Sequence, residues 1–143
     1  MKARDLMTEN PECVTREDTL QRAASIMRDR DIGAVPVVAD TDSRKLVGIV
    51  TDRDIAVRHV AEGHNGECRV EEAMTAGSVA TAREDDEVDR VMELMRQHKV
   101  RRIPVVDGKD QVVGMIAQAD LALEARDDAQ VERTVERISE PGR

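Results

Sequence analysis

Lys45-Leu46-Val47-Gly48-Ile49-Val50-Thr51-Asp52-Arg53-Asp54 reads as an apolar strand that turns at once into a helix. Ile55, Ala56, Val57 and Val60 carry the apolar pattern onward at helical spacing. Thr51 stands where the strand ends and Asp54 lies three residues on, which is the Ser/Thr-x-x-acid spacing of a capped helix start. A helix N-terminus has unpaired backbone N–H groups and a partial positive charge, so it suits a phosphate. A hydroxyl at the cap and a carboxylate one turn in suit a ribose diol beside it. The same two residues also serve as a simple cap, and the stretch alone does not choose between these readings.

The stretch has an echo. Gly48, Asp54 and Ile55 recur as Gly114, Asp120 and Leu121, each 66 positions on. Upstream, Ile32-Gly33-Ala34-Val35-Pro36-Val37-Val38 matches Val100-Arg101-Arg102-Ile103-Pro104-Val105-Val106 at a shift of 68. The same shift takes Leu20 to Val88, Ala23 to Val91 and Ile26-Met27-Arg28 to Leu94-Met95-Arg96. The change of shift, from 68 to 66, falls in the polar turn between the two strands, where the first copy has two extra residues. Ahead of both copies, Asp5-Leu6-Met7-Thr8 echoes Glu72-Ala73-Met74-Thr75 at a shift of 67. Length changes confined to turns are what duplication leaves.

Each copy opens with an extended segment, Cys13-Val14 or Val79-Ala80-Thr81-Ala82. An amphipathic helix follows over 19–30 or 87–98, with Leu20, Ala23, Ala24 and Met27 on one face and Asp18 with Gln21 as the first cap. Two strands joined by a polar turn come next, 34–39 with 45–50 and 102–106 with 111–116, and then a second helix, 52–62 or 119–125. Pro36 and Pro104 within strands predict edge or strand-start positions, where no donor is required. The order is β-α-β-β-α, twice. Residues 7–62 form the first repeat, 63–73 a linker (polar over 63–66), and 74–125 the second repeat. Residues 126–143 form a C-terminal helix and tail, with Val131, Val135 and Ile138 at helical spacing, expected to dock on its own chain. A half of about 60 residues with one apolar sheet face is marginal alone. The expected fold is therefore α/β (α+β), two repeats packed about a pseudo-twofold axis.

Composition sets further bounds. At 143 residues and 40% hydrophobic, the chain can bury a core. It has no run of about 20 apolar residues, so no membrane span is expected. Met1-Lys2-Ala3-Arg4-Asp5 lacks the apolar core of a signal peptide, which points to the cytoplasm. The net charge of −8 and a pI near 4.9 give non-specific binding to nucleic acid or an anionic membrane nothing to gain. Cys13 and Cys68 are too few for a disulfide scaffold; a small buried residue and a loop residue are the default readings, a redox pair the alternative. With no Trp, Tyr or Phe, a bound base would lie against aliphatic side chains and backbone.

The Met7-Thr8 and Met74-Thr75 leaders, the Val35-Pro36-Val37-Val38 and Ile103-Pro104-Val105-Val106 strands, and Gly48, Thr51 and Asp54 in Gly-x-x-Thr-x-x-Asp recur in matching order. In this the chain resembles the tandem cystathionine-β-synthase (CBS) domain pair, over Asp5 to about Glu124. The resemblance implies a regulatory module, without catalysis of its own. It would bind AMP, ADP, ATP, NAD or S-adenosylmethionine in a cleft between the repeats, pair into flat homodimers and signal to a separate protein partner. It implies Asp54 and Asp120 as ribose ligands and Thr51 as a phosphate ligand. It also places Cys13, Val14, Val35, Pro36 and Val37 around one base, and Thr81, Ala82, Ile103, Pro104 and Val105 around the other. The second copy departs from the pattern: Ala117 stands where Thr51 would be, so the two sites should be unequal. Arg101 and Arg102, in place of Gly33 and Ala34, and Arg53, with Lys99 and His98 nearby, offer positive charge for a phosphate. The plain reading of these cations is solvated ion pairs contributing about 0–1 kcal/mol each.

Other chemistry has less footing. His59, His64 and Cys68 are metal-ligand types, but they straddle a helix end and a polar loop with no evident fourth ligand. The reading is exposed loop residues, with no metal site and no resident cofactor. Cys13 has no His base in its own segment, so nucleophilic catalysis is not expected. The acidic run Glu84-Asp85-Asp86-Glu87 reads as a helix start, and Met27, Met92 and Met95 as core. The alternative to a nucleotide sensor is a CBS-fold interaction or stress-response module that binds no ligand and acts through its dimer surface.

Overall fold

The two Pro strands lie at the middle of two four-stranded sheets. The computed structural model describes residues 1–65, 67–77 and 79–124, so the helix expected over 126–143 lies outside the described residues. Among the described residues, one compact unit comprises Pro11–Val79 with Asp110–Val112; the other comprises Met1–Asn10, Ala80–Lys109 and 113–124.

The Pro36 unit runs β2 (Val14–Thr15), α2 (Leu20–Arg30), β3 (Ala34–Val38), β4 (Leu46–Thr51) and α3 (Asp52–Ile55). α3 widens into a π-turn over Ala56–Val60, and a 3-10 turn, Val70–Glu72, leads into β5 (Thr75–Ala76). The sheet order is β2-β3-β4-β5. The Pro104 unit runs α1 (Ala3–Leu6), β1 (Thr8–Glu9), β6 (Ala82–Arg83), α4 (Val88–His98), β7 (Arg102–Val106), β8 (Val112–Ala117) and α5 (Gln118–Glu124), in sheet order β1-β8-β7-β6.

This grouping differs from a division along the sequence, because each Met-Thr leader joins the sheet of the other copy. Thr75 pairs with Ile49 and Ala76 with Gly48, while Thr8 pairs with Met115 and Glu9 with Gly114. The repeated glycine permits this approach. A Cβ on Gly48 would stand 2.6 Å from the Thr75 carbonyl oxygen, and one on Gly114 would run into the Met7 side chain.

α2 presents Leu20, Ala23, Ile26 and Met27 to a core that β3 fills with Val35 and Val37; α4 does the same with Val91, Met92, Leu94 and Met95 beneath Ile103 and Val105. Each fully buried Leu or Met contributes about 1.5–3 kcal/mol. Both helices end on a left-handed residue, Asp31 (φ 54°) and Lys99 (φ 52°), whose N–H donates to the Met27 and Met95 carbonyls.

Four sequence expectations need correction. Ala24 is exposed and Ile26 takes its place in the core, because the helix turns Ile26 and Met27 together toward β3. The α2 cap is Thr19, whose Oγ1 accepts from Arg22 N at 3.1 Å; Asp18 instead accepts from Thr15 N at 2.8 Å. Pro36 and Pro104 lie inside central strands, not at edges or strand starts. The parallel ladders with β2 and β6 begin one residue later, at Val37 and Val105, so the missing N–H falls where no neighbour needs a donor. Lastly, Val57 and Val60 are 49% and 64% exposed while His59 is buried, since the π-turn breaks the periodicity that the apolar pattern assumed. Among the described residues no helix is long and apolar enough to cross a membrane.

Candidate functional site

β4 feeds directly into α3 through Thr51, an extended residue (φ −114°, ψ 163°) that forms a complete capping box. Thr51 Oγ1 accepts from Asp54 N at 3.0 Å, and Thr51 N donates to Asp54 Oδ2 at 3.0 Å. Asp52 N donates to the Gly33 carbonyl at 2.9 Å and Arg53 N to Asp52 Oδ1 at 2.8 Å. The first three helix donors thus have protein partners. α3 also spans only four residues before the π-turn, so its dipole is small. The seat for phosphate expected on the helix N–H groups is filled by the chain's own acceptors.

What the start still offers lies on its side chains. The Thr51 hydroxyl accepts in the cap and keeps its own hydrogen to donate. Asp54 uses Oδ2 in the cap, and its Oδ1 faces Arg58 Nε at 3.9 Å in a side chain 12% exposed. A carboxylate has about four lone-pair sites, so the cap leaves acceptor capacity for two neighbouring hydroxyls. Arg58 escaped the sequence reading, which looked to the exposed Arg53 instead; the i,i+4 spacing from Asp54 was the available signal. Its Nη1 also donates to the Ala73 and Met74 carbonyls at 3.5 and 3.4 Å, tying the helix start to the segment before β5.

The second start keeps half of this arrangement. Ala117 N donates to Asp120 Oδ2 at 2.8 Å and Gln118 N to the Arg101 carbonyl at 2.7 Å, the counterpart of the Gly33 contact. The hydroxyl is missing. Arg101 is exposed, and Arg102, half-buried, opens β7.

The positions assigned to the bases divide by burial. Val14, Val35 and Val37 belong to one core and Ala82, Ile103 and Val105 to the other, all with no exposed surface. Their side chains are committed to packing, so a ligand near them would meet backbone. Pro36 and Pro104 are buried, and Cys13 and Thr81 are half-buried.

Comparison with known proteins agrees with this duplicated architecture. The CBS domain model matches residues 3–59 and again 70–127. The chain belongs to the CBS domain family. It is 39% identical to the uncharacterized protein YlbB of Bacillus subtilis over 97% of this chain and 92% of that one. The CBS domain pair of protein MJ0100, solved with methylthioadenosine and S-adenosyl-L-methionine, superposes with a TM-score of 0.78 at 32% identity, over 90% of this chain and 98% of that one. Hypoxic Response Protein I, solved with two coordinated zinc ions, gives 0.76 at 33%, over 86% and 98%. The CBS pair here thus has relatives of similar length.

Cys13 stays close to its default reading, whereas His59 and Cys68 fall differently from expectation. Burial pushes the Cys13 thiol above its ordinary 9.0, with the Arg44 charge pulling weakly back, and Sγ donates to the Pro11 carbonyl at 3.4 Å. A thiol held in this way is a poor redox partner. His59, read as an exposed loop residue, is 4% exposed, and the half-buried Cys68 packs against the core. Only His64 of that trio is exposed.

Proposed function

We propose that the protein is a regulatory CBS pair that binds an adenosine-containing ligand, with Asp54 on the ribose hydroxyls and Thr51 donating to a phosphate or to the group in its place. The candidates are AMP, ADP, ATP, NAD and S-adenosylmethionine. The observation that carries the reading is the Asp54 carboxylate, with one oxygen fixed by the cap and the other left facing Arg58. At the first helix start phosphate charge would be met by Arg53 and Arg58; at the second, Arg101 and Arg102 are the nearby cations. Asp120 is the second and weaker ribose position, since Ala117 has no hydroxyl to offer. The complex of MJ0100 with two adenosine compounds supports the ligand class. Output would pass to a separate cytoplasmic partner or through a homodimer, for which the exposed Val57 and Val60 provide apolar surface. A ligand biases such an output only if it binds two arrangements of the protein unequally.

A second reading is an interaction module without ligand. The filled N–H groups of α3 favour it, because they remove the ordinary phosphate seat. Equilibrium dialysis separates the two. The chain has no Trp, Tyr or Phe, so bound nucleoside is read from its own absorbance. Retention of an adenosine ligand by wild type, lost in Asp54→Asn, supports the sensor. Passage of every such ligand favours the module.

A further inference from the structure

We propose that His59, His64 and Cys68 form a binding site for a borderline transition-metal ion of the zinc type. The case rests on donors of this chain alone and is independent of the adenosine reading. One ligand atom from each of the three residues lies within 4.8 Å of the other two. His59 is 4% exposed, and its Nδ1 is buried with no hydrogen-bond partner. Leaving a buried polar nitrogen unsatisfied costs about 1–3 kcal/mol, and an ion on that nitrogen removes the deficit.

The backbone holds the donors together. Ala61 N donates to the Ala56 carbonyl at 2.9 Å and His64 N to the His59 carbonyl at 3.1 Å. Both are i to i+5 bonds, and the widened turn brings His64 back over His59, with their rings edge to face at 5.8 Å. Asn65 then folds the loop toward Cys68: its carbonyl accepts from Cys68 N at 3.3 Å and its Oδ1 from Glu67 N at 2.9 Å. The core side is anchored by Leu20 N on the Cys68 carbonyl at 2.8 Å.

The donor set selects the ion. Two imidazoles and a sulfur suit zinc and disfavour magnesium or calcium, which take oxygen. Bonds of about 2.0–2.3 Å put tetrahedral ligand atoms roughly 3.3–3.7 Å apart. The trio therefore closes by about 1 Å, which rotation of the exposed His64 and the half-buried Cys68 side chains supplies. Cys68 releases its thiol proton to solvent and binds as thiolate, and no oxidation state changes. The fourth position, on the exposed His64 side, is left to water. The occupied site would pin the end of the α3 segment to the chain just before the Val70–Glu72 turn.

The test uses the full chain, stripped with a chelator and titrated with zinc alone by calorimetry and with cobalt(II) alone by absorption. Wild type should bind one ion and, with cobalt, show a thiolate-to-metal band and tetrahedral ligand-field bands. Cys68→Ser should abolish the thiolate band, and Cys68→Ser and His64→Ala should each weaken zinc binding by about tenfold or more. Both positions are off the fully buried core, so folding is retained, and zinc should raise the melting temperature of wild type alone. Cys13→Ala should leave the cobalt spectrum intact. Absence of the thiolate band in wild type, or zinc affinity unchanged by Cys68→Ser and His64→Ala, overturns the assignment.

Discussion

The helix starts of the two repeats differ by one oxygen atom that matters. At Thr51–Asp54 hydroxyl and carboxylate cap each other, at 3.0 Å both ways. At Ala117–Asp120 only the carboxylate half survives, at 2.8 Å. The frame around that difference is repeated: the carbonyl of Gly33 or Arg101 on the first helix donor, the glycine under the incoming leader, and the left-handed helix end at Asp31 or Lys99. The Asp54–Arg58 pair is not, since Glu124 stands where Arg58 would be. Duplication preserved the frame in both copies and a complete polar mouth in one. The lesson is that the carboxylate alone suffices to start a helix, so the hydroxyl is what distinguishes the first mouth from the second.

The largest effect should come from the shared frame. Gly48→Ala sets a methyl against the Thr75 carbonyl and Gly114→Ala sets one against Met7; each should cost about 1–3 kcal/mol in denaturant unfolding. The copies should then part company. Adding Met7→Ala relieves part of the Gly114→Ala cost by removing the thioether, though the Cβ contact at 2.9 Å stays. Adding Met74→Ala leaves Gly48→Ala impaired, because its principal clash is with backbone. Next come the mouths. Thr51→Ala should cost about 1 kcal/mol, and Ala117→Thr should gain up to about as much by completing the box. If Ala117→Thr gained nothing, the two starts would differ in backbone and not merely in one hydroxyl.

A smaller gain is expected at the helix ends. Left-handed residues other than glycine are strained, Asp less than Lys. Lys99→Gly should stabilise by about 0.5–1 kcal/mol and Asp31→Gly by less, as read from melting temperatures. The smallest effect lies in the longer turn of the first copy. There Ser43 N at 2.7 Å, with the Ser43 hydroxyl and Asp42 N, holds the Asp40 carboxyl below its ordinary 3.8. With the folded value depressed, its contribution is full above the unfolded value and is lost as pH falls through the folded one. Asp40→Asn should slightly flatten the acid limb of a stability–pH curve.

The order of elements and the two copies were legible because Pro36, Pro104 and the capping spacing recur at fixed offsets, and strand and helix periods are local properties. The leader exchange was not, because two-residue strands carry no register signal; Gly48 and Gly114 were a hint, but in the sequence they stood only as positions of the repeat. The commitment of Val14, Val35 and Val37 to the core was hidden for a related reason. A strand buried on both faces shows no alternation to say which side chains point inward. At the site, Thr51 and Asp54 were placed correctly at the helix start, but the filled N–H groups depend on Gly33, which only folding brings near. The π-turn left no trace in the pattern, and so His59 was misread.

The most direct test of the unequal mouths is calorimetric titration of S-adenosyl-L-methionine, and of the other adenosine ligands in turn, into wild type, Asp54→Asn and Asp120→Asn. Asn keeps an acceptor for the cap while removing the charge and one ribose acceptor. The account predicts binding that Asp54→Asn abolishes or weakens by about tenfold or more (about 1.4 kcal/mol) and that Asp120→Asn changes far less. Equal losses in the two variants, or a greater loss in Asp120→Asn, would contradict it.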